Sequence, residues 1–305
     1  MPAMYIQAYT NGRLHSAAEP SLSPLSRGFL YGDAVYEVWR TCGGVLFAWE
    51  EHFRRLEASA AALYFALPFT REEMATAIRR TVAAYRAVAG GSDELYIRLQ
   101  VSRGAGAIGL DPALAETPDV VLLVQKCPAV APAVLARGLA LAIARERRRN
   151  PAEALDPAWK TGNYLNNILG LREARARGAD DVLMLNLRGE LAEASTANVA
   201  LVRDGAVVTP PRDAGILMGI TRDFLIRAVA PAAGVRVREE AIRPEDLPAC
   251  REAFILSTTK EIAPVSAIDD LHFEVGPGTV TARLQSAWAD FVRAHIAQHP
   301  ELRVG

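Results

Sequence analysis

Alternating hydrophobic and polar positions near the start of the chain predict short paired strands. Residues 4–14 form one such stretch, and its Asn11-Gly12 pair is typical of the tight turn that joins two antiparallel strands. The pattern returns around the Gly43-Gly44 pair, which has apolar residues on both sides. The beginning of the chain is therefore expected to contribute two hairpins to an antiparallel sheet.

The period of the apolar residues then changes from two to about 3.6, which indicates helices. A helical stripe runs over residues 50–67 and ends at Pro68, because proline cannot continue a helix. Thr70 and Glu73 have the spacing of a capping box, so a second helix is predicted from there to Gly90.

Two apolar strands are predicted at 95–101 and 120–124, which makes the first part of the chain an α+β unit. The next stretch holds two prolines among small residues and favours an extended crossing over a helix or a strand. We place the domain boundary there, with a small α+β domain at 1–125, a linker at 126–137 and a larger domain at 138–305.

The larger domain is predicted to mix strands and helices, so the fold class of the whole chain is α+β or α/β. One helix is predicted to end at Gly178, with Leu165, Ile168 and Leu169 as its apolar stripe. Another is predicted to start at a Thr221 cap. The predicted strands and terminal helix lie at 139–143, 182–185, 199–202, 254–256 and 280–296.

The composition is that of a globular protein. The chain has 305 residues, 50% of them hydrophobic, which is enough for a core in each of two domains. Its net charge of −1 provides no positive field for nucleic acid or an anionic membrane, and the basic run 145–149 is interpreted as a solvated strand end. No charged leader and no apolar run of about 18 residues is found, so we expect a cytoplasmic protein that binds neither nucleic acid nor membrane.

The cysteines and histidines give no sign of a metal site. Cys42, Cys127 and Cys250 are far apart and form no C-x-x-C pair, so neither a disulfide framework nor a zinc site is indicated. The five histidines show no H-E-x-x-H or clustered spacing. We therefore expect no metal ion, and a reducing compartment fits three such cysteines.

The segment Gly104–Gly109 satisfies the G-x-G-x-x-G pattern and follows a predicted strand, so a dinucleotide-binding enzyme is a competing hypothesis. That fingerprint needs a helix opening at its third glycine and an acidic residue about 20 positions later. Pro112 and Pro118 interrupt any such helix, and residues 120–145 contain no acid. The context therefore argues against a nucleotide at this loop.

Lysine is rare in this chain, which draws attention to each one. Lys126, Lys160 and Lys260 are the only lysines, whereas arginine supplies most of the cations. Lys160 precedes a predicted helix and therefore lies at an element boundary. Its amine is either a solvated loop charge or a nucleophile that can form a Schiff base.

Three further features lie downstream of Lys160. Glu193 falls in a segment of small and apolar residues, where a carboxylate needs a cationic or proton-sharing partner. The run Gly219-Ile220-Thr221-Arg222 enters a helix whose N–H groups can face an anion, and Ser257-Thr258-Thr259 offers similar donors at a strand end. Each feature alone is common in proteins of any function. Together, an amine, a carboxylate and two segments able to bind a phosphate are what pyridoxal phosphate requires.

Several ordered motifs resemble those of one family, the fold-type IV pyridoxal-phosphate enzymes or class IV aminotransferases. The segment from Arg27 to Glu37 is similar to the family's substrate loop, and Glu51 to Leu56 is similar to its E-H-x-x-R-L helix. Residues 160–167 are similar to the K-x-x-N-Y-L-N stretch. The resemblance covers nearly the whole chain and implies two domains, small then large, with the cofactor at their interface.

The resemblance implies a role for each matching residue. Lys160 would be the Schiff-base residue and the catalytic base and acid, with Tyr164 at the cofactor's phenolic oxygen and Glu193 at its ring nitrogen. The phosphate contacts carried over from the family are Arg55, Ile220, Thr221, Ser257 and Thr258.

The resemblance also implies a substrate. Tyr96-Ile97-Arg98 is similar to the Y-I-R strand of branched-chain aminotransferases, which helps to hold a substrate carboxylate, although ordinary alternation on a half-exposed strand gives the same pattern. The expected reaction moves an amino group between a branched-chain L-amino acid and a 2-oxo acid such as 2-oxoglutarate. The substrate-binding residues would be Tyr31, Tyr36, Arg40, Tyr96, Arg98 and Thr259.

Other activities stay open. Tyr36-Glu37-Val38 is closer to D-specific and mixed members, although Ile108 and Leu110 stand where D-amino-acid transaminases carry an arginine and a histidine. This keeps a D-amino-acid or (R)-amine transaminase as an alternative. Residues 194–198 are similar to aminodeoxychorismate lyases, and a non-catalytic cofactor-binding protein is a further class. The family forms homodimers in which the Tyr31 loop of one subunit closes the other's site, so a homodimer is implied.

Overall fold

The computed structural model describes residues 5–91 and 93–304, without the side chain of residue 116. These residues form two compact units. The first unit comprises Met1–Pro128, Trp159–Asn163 and His295–Gly305. The second unit comprises Ala129–Ala158 and Tyr164–Ala294. The segment that carries Lys160 thus groups with the N-terminal part of the chain.

The first unit is built on an antiparallel sheet with the strand order β2-β1-β6-β5-β3-β4. Its strands are β1 (Gln7–Thr10), β2 (Arg13–Ser16), β3 (Ala34–Cys42), β4 (Val45–Leu46), β5 (Leu95–Gly106) and β6 (Ala115–Lys126). Its helices are α1 (Arg27–Leu30), α2 (Trp49–Ala62) and α3 (Arg71–Ala89), with a 3₁₀ turn at Pro112–Leu114.

Side chains on β3 and β5 alternate between a buried face and a polar face of this sheet. Trp39 and Ile97 point into the core, where they pack with residues of α2 and α3 such as Leu56 and Ile78. The intervening positions carry polar and aromatic side chains on the opposite face. The antiparallel register sets Arg40 beside Tyr96 and Tyr36 beside Gln100 on that second face, which the hydrophobic core leaves for other contacts.

The second unit contains a sheet with the order β12-β11-β10-β13-β14-β7-β8-β9, with β15 paired to β14. Its strands are β7 (Leu139–Arg148), β8 (Asp181–Leu185), β9 (Leu191–Ala194), β10 (Asn198–Arg203), β11 (Ala206–Thr209), β12 (Val237–Glu239), β13 (Glu252–Ser257), β14 (Glu261–Ile268) and β15 (Leu271–His272). Its helices are α4 (Pro132–Arg137), α5 (Ala152–Leu155), α6 (Leu165–Ala176), α7 (Ile220–Phe224), α8 (Ala230–Ala232) and α9 (Val280–Gln298), whose last residues belong to the first unit. A π-helical turn at Leu225–Val229 joins α7 to α8, and 3₁₀ turns lie at Arg212–Ala214, Pro244–Ala249 and Pro300–Leu302.

The sheet of the second unit closes on itself, because β9 also pairs with β10. The pair of residues that makes this closure is Glu193 and Asn198. Buried aliphatic residues fill the unit's core, including Leu183, Val199 and Ile255. The carboxylate predicted to face the cofactor therefore lies where the barrel closes, on backbone held from both sides.

The hairpin turn and the helix cap predicted for the first unit are confirmed, whereas the helix predicted over residues 50–67 ends at Ala62, because the chain turns at Tyr64, where φ is 57°. Asn11 and Gly12 form the first hairpin turn with φ angles of 48° and 95°, the left-handed conformation that favours these residue types. Thr70 and Glu73 form the predicted capping box at the start of α3. Residue 4, where the first hairpin was predicted to begin, lies outside the described residues.

Three predictions about the second unit are wrong. The stretch predicted to be extended contains α4, which begins at Pro132 because proline is well suited to the first turn of a helix. Leu165 and Ile168 on α6 are 67% and 59% exposed, so the apolar stripe is not the buried face. Thr221 is not a cap, since α7 begins at Ile220 after Gly219.

In the described part of the chain, no helix combines the length and the hydropathy that crossing a bilayer requires.

Candidate active site

Lys160 lies on a short segment that runs beside β3 of the first unit. The backbone N–H of Tyr36 donates to the carbonyl of Lys160 at 3.0 Å, and the N–H of Lys160 donates to Ser59 Oγ at 3.1 Å. A β-bridge between Val35 and Thr161 continues the same pairing. The segment is therefore fixed to the sheet, and Lys160 is not a solvated loop residue.

The side chain of Lys160 contacts Tyr36 on the polar face of the sheet. Its Nζ donates to the Tyr36 hydroxyl at 3.3 Å and lies 4.4 Å from the centroid of the ring. The guanidinium carbon of Arg98 lies 3.8 Å from the same centroid, and Arg98 Nη2 donates to Gln100 Oε1 at 2.9 Å. Tyr36 thus holds two cations beside one ring, a favourable arrangement because the ring face is electron-rich.

Arg40 and Tyr96 lie on this polar face as well, directly across the two strands from each other. Burial raises the pKa of the Tyr96 hydroxyl despite the nearby charge of Arg98, so Tyr96 is neutral at ordinary pH. The structure therefore brings together Lys160 and four of the predicted substrate residues: Tyr36, Arg40, Tyr96 and Arg98.

Tyr31, another predicted substrate residue, fixes the loop that follows β5. The N–H of Gly109 donates to the Tyr31 hydroxyl at 3.2 Å. The guanidinium of Arg27 lies 5.1 Å from the Tyr31 ring and donates to the carbonyls of Gly109 and Leu110. Asp33 accepts a hydrogen bond from Arg27 Nε at 3.0 Å, which completes a buried anchor for the loop.

The G-x-G-x-x-G segment has a structural explanation in the pairing of β5 with β6. A Cβ atom on Gly104 would lie 1.7 Å from the carbonyl oxygen of Thr117, and one on Gly106 would lie 1.8 Å from that of Leu114. These glycines therefore allow two backbones to approach closely. Strand β5 continues to Gly106 and no helix opens at Gly109, so the dinucleotide hypothesis fails.

Arg55, the predicted phosphate contact, is held by a buried carboxylate on β3. Its Nε and Nη2 atoms donate to the two oxygens of Glu37 at 2.6 and 3.0 Å, and His52 Nδ1 donates to Glu37 Oε2 at 2.7 Å. Burial alone would raise the pKa of Glu37, but the charge of Arg55 and the contact with His52 outweigh it and hold this pKa far below the usual range. Sequence reasoning missed Glu37, although its position on a strand otherwise rich in apolar residues was a signal.

Glu193 in the second unit has the cationic partner that its burial required. Only 6% of its side chain is exposed, and Arg149 Nε donates to Oε1 at 2.9 Å. Oε2 accepts from Asn198 Nδ2 at 3.2 Å and from the N–H of Leu217 at 3.0 Å. The interpretation of the basic run as solvated is therefore wrong for Arg149, which is buried.

Asn198 ties the Glu193 carboxylate to the start of α7. Its Nδ2 also donates to the carbonyl of Leu217 at 2.9 Å. A Cβ atom on Gly219 would lie 2.0 Å from Asn198 Oδ1, so any larger residue there would displace the Asn198 side chain. Ile220 and Thr221, both buried, follow this glycine in the first turn of the helix, where backbone N–H groups have no partner within the helix.

Ser257, Thr258 and Thr259 form the turn between β13 and β14. Ser257 Oγ accepts from the N–H of Lys260 at 3.1 Å, and Lys260 Nζ donates to Thr196 Oγ1 at 3.1 Å. The turn is half-buried, which leaves its backbone and hydroxyl donors accessible.

Tyr164 is half-buried at the N-cap of α6, where its carbonyl accepts from the N–H of Ile168 at 2.9 Å. Across residues 5–91 and 93–304, no set of three or more His, Cys, Asp or Glu side chains has the arrangement of a metal site.

The α+β unit with its amine-bearing segment and the closed barrel with its buried carboxylate define a two-domain transaminase of fold type IV. The family model of amino-transferase class IV matches residues 34–268. The chain belongs to the class IV aminotransferase family, whose cofactor is pyridoxal phosphate.

The relatives of this chain are named as aminotransferases, but their names specify different substrates. A protein of Methanocaldococcus jannaschii, provisionally named a branched-chain-amino-acid aminotransferase, is 36% identical over 286 residues, which cover 93% of this chain and 96% of the relative. The D-alanine aminotransferase of Listeria monocytogenes is 32% identical over 301 residues, with 93% and 96% coverage. The branched-chain aminotransferase of the archaeon Thermoproteus uzoniensis, solved with norvaline, is 30% identical, and the match covers 98% of each chain with a TM-score of 0.85.

Proposed function

We propose that this chain is a pyridoxal-phosphate-dependent aminotransferase that exchanges an amino group between a branched-chain L-amino acid and a 2-oxo acid such as 2-oxoglutarate. The observation that carries the proposal is the Lys160 amine, 3.3 Å from the Tyr36 hydroxyl and on a sheet face that also presents Arg98. The branched-chain name of the Thermoproteus uzoniensis enzyme supports the substrate class.

The residues present fit the cofactor. Glu193 is a buried anion suited to a protonated ring nitrogen, and the first turn of α7, which follows Gly219, has backbone N–H groups that suit a phosphate. When bound, the cofactor supplies an electron sink for the negative charge that develops at the substrate Cα. The residues that would hold it are Arg55, Lys160, Tyr164, Glu193, Ile220, Thr221, Ser257 and Thr258.

Lys160 is the residue that would hold the cofactor aldehyde and then, once released, carry the proton. Its Nζ would act first as a general base that takes the proton from the substrate Cα. It would then act as a general acid that gives this proton to the C4′ atom of the cofactor. The Tyr36 hydroxyl keeps this amine in place, and the sheet backbone fixes its segment. Proton transfer of this kind contributes about 10²- to 10⁴-fold to a rate.

Arg98 is the main candidate to bind the substrate carboxylate. Its guanidinium is stacked on Tyr36 and hydrogen-bonded to Gln100, so little side-chain entropy remains to be lost when an anion binds. Arg40 adds a second positive charge across the strands, and the neutral Tyr96 adds a hydroxyl donor. Tyr31 and Thr259 complete the proposed substrate set.

We also propose a cytoplasmic homodimer. Phe29, Ile108 and Leu110 are 77%, 76% and 78% exposed, and such apolar side chains are usual at interfaces between subunits. The loop that carries Ile108 and Leu110 is held by Arg27, so these side chains project from a rigid base. The three cysteines are buried and form no disulfide, which suits a reducing compartment.

A D-amino-acid transaminase is the second candidate, because the D-alanine aminotransferase of Listeria monocytogenes is nearly as similar as the branched-chain relative. Ile108 and Leu110 argue against it, since neither side chain can bind the carboxylate of a D-amino acid from this loop. The two hypotheses therefore differ in which amino donor the enzyme accepts.

The test is to give purified, cofactor-loaded protein one amino donor at a time and follow the visible absorbance of the cofactor. L-Leucine and L-glutamate are expected to bleach it, whereas D-alanine and (R)-1-phenylethylamine leave it unchanged. The Arg98→Gln variant should need at least about tenfold more L-leucine, because a hydrogen bond to a charged group contributes about 1.5–3 kcal/mol. Bleaching by D-alanine alone would contradict the proposed substrate class.

A further inference from the structure

Arg149 is a buried charged residue of the second unit to which the proposed reaction gives no role. Its side chain is 10% exposed, and its Nε donates to Glu193 Oε1 at 2.9 Å. Its own backbone N–H donates to the carbonyl of Leu185 at 2.8 Å, which ties it to the end of β8. A buried arginine held at both ends has a fixed position relative to the carboxylate it contacts.

We propose that Arg149 is a positioning residue that keeps Glu193 in its charged form and thereby keeps a proton on the ring nitrogen of the cofactor. This inference rests on the proposed function, because it assigns the way in which Glu193 acts on that ring.

Two bases can hold the proton of this pair, the Glu193 carboxylate and the ring nitrogen of the cofactor. A buried carboxylate without a cation becomes more basic, because the protein interior stabilises its negative charge poorly. The proton would then move from the ring nitrogen to Glu193. Arg149 opposes this transfer by compensating the carboxylate charge, so the proton stays on the ring and the pairing stays ionic.

The oxygen that Arg149 does not contact is fixed independently. Oε2 of Glu193 accepts from Asn198 Nδ2 and from the N–H of Leu217, so the carboxylate keeps its backbone surroundings when Arg149 is replaced. A change at Arg149 therefore alters mainly the charge balance at Glu193. This separation makes the proposal testable with a cofactor analogue that differs only at the ring nitrogen.

The experiment compares the dissociation constants of pyridoxal phosphate and its 1-deaza analogue, measured by equilibrium dialysis with each apoprotein. Both ligands have the same aldehyde and phosphate. The dissociation constant of the 1-deaza analogue divided by that of pyridoxal phosphate therefore isolates the interaction between Glu193 and the ring nitrogen. In the unmodified protein the ratio favours pyridoxal phosphate. In Arg149→Met and Arg149→Gln it should fall about tenfold, because an ionic hydrogen bond is replaced by a neutral one.

Arg149→Lys keeps the charge and should restore the ratio to within about threefold of the unmodified protein. Arg147→Met, at an exposed arginine of the same run, is the matched control and should leave the ratio unchanged. Arg149→Gln retains a hydrogen-bond donor, so it serves if Arg149→Met does not fold.

Equal loss of affinity for both ligands in Arg149→Met or Arg149→Gln would overturn the proposal, since it would indicate a purely structural role. An unchanged or raised ratio would overturn it too. If the unmodified protein binds neither ligand, the proposed function itself fails, and the two failures are thereby distinguished.

Discussion

Glu37 shows how a single buried charge can organise its surroundings. It is fully buried on β3, where it accepts hydrogen bonds from Arg55 and His52. Burying these charges is costly, and the cost is offset only while all partners are present. Glu37 therefore contributes to stability, and through Arg55 it positions the group that we propose for the cofactor phosphate.

Replacing Glu37 with glutamine should lower the free energy of unfolding by about 3–5 kcal/mol, because Arg55, whose side chain is only 13% exposed, would lose its counter-charge. The measurement is urea denaturation at neutral pH. Glu50→Gln is the control, because Glu50 pairs with Arg71 on the exposed surface, where the loss should be at most about 1 kcal/mol. Similar losses in both variants would contradict the role given to Glu37.

The candidate site illustrates which properties of single residues can be predicted from sequence. The small and apolar surroundings of Glu193 indicated correctly that it needed a partner. The partner, Arg149, is 44 residues away in the chain and stands in a basic run that looks solvent-exposed. Its burial depends on the closure of the barrel, which no local pattern encodes.

At the scale of elements, the end of α9 and the segment after it form part of the first unit. The N–H of Val304 donates to the carbonyl of Gly44 at 2.9 Å, and the Val304 side chain is fully buried in the core. His295 Nε2 accepts from the N–H of Ala48 at 3.3 Å, and its ring packs against Phe47. His295 must be neutral to accept this hydrogen bond.

This contact should make the protein less stable in mild acid. Burial and the neighbouring His299 lower the pKa of His295 below its ordinary value of 6.5, and burial lowers the pKa of His52 as well. Below pH 6.5 the unfolded chain therefore binds protons that the folded chain excludes. The contribution of these two histidines to stability is fully present above pH 6.5 and is lost as the pH falls below it.

The measurement is the thermal midpoint between about pH 8 and about pH 5, a range that spans the ordinary titration of histidine. The His295→Gln variant should show a smaller decrease over this range, because glutamine cannot take up a proton. His272→Gln, at an exposed histidine, should behave like the unmodified protein. A decrease as large in His295→Gln as in the unmodified protein would rule out His295 as a cause.

Elements defined by adjacent residues were predicted better than elements defined by distant contacts. The hairpin turn at Asn11 and the capping box at Thr70 depend on neighbours in the chain, and both are confirmed. The face of α6 was predicted wrongly, because its buried residues are small and polar, such as Asn167, whose Nδ2 donates to the carbonyl of Ser195. Apolar periodicity cannot reveal a helix that packs in this way.

At the scale of the whole molecule, the predicted fold type and transaminase class are confirmed by the family match over residues 34–268. The ordered motifs around Arg55, Lys160 and Glu193 made this prediction possible. The position of Lys160 beside β3 was not predicted from periodicity. It depends on the chain returning to the first unit for one short stretch, Trp159–Asn163, and then leaving again.

The proposed homodimer predicts a molecular mass of about twice 32.9 kDa in solution, measured by light scattering after gel filtration. Phe29→Asp combined with Leu110→Asp should shift the protein towards the monomer, because each change places a charge on an apolar contact. Val88→Asp, at an exposed apolar position of α3, is the control and should leave the mass unchanged. A monomeric unmodified protein would exclude the homodimer.

The central claim is that the amine of Lys160 binds the cofactor, and the scarcity of lysine makes it directly measurable. Lys126 pairs with Asp93 at 2.9 Å and Lys260 donates to Thr196, so each of the other two lysines has a structural partner. Borohydride reduction of the loaded protein fixes any bond between lysine and cofactor, and peptide mass spectrometry then locates it. We predict the pyridoxyl mass on the Lys160 peptide in the unmodified protein and in Lys260→Arg, and its loss in Lys160→Arg; a label on Lys126 or Lys260 with Lys160 unmodified would contradict the account.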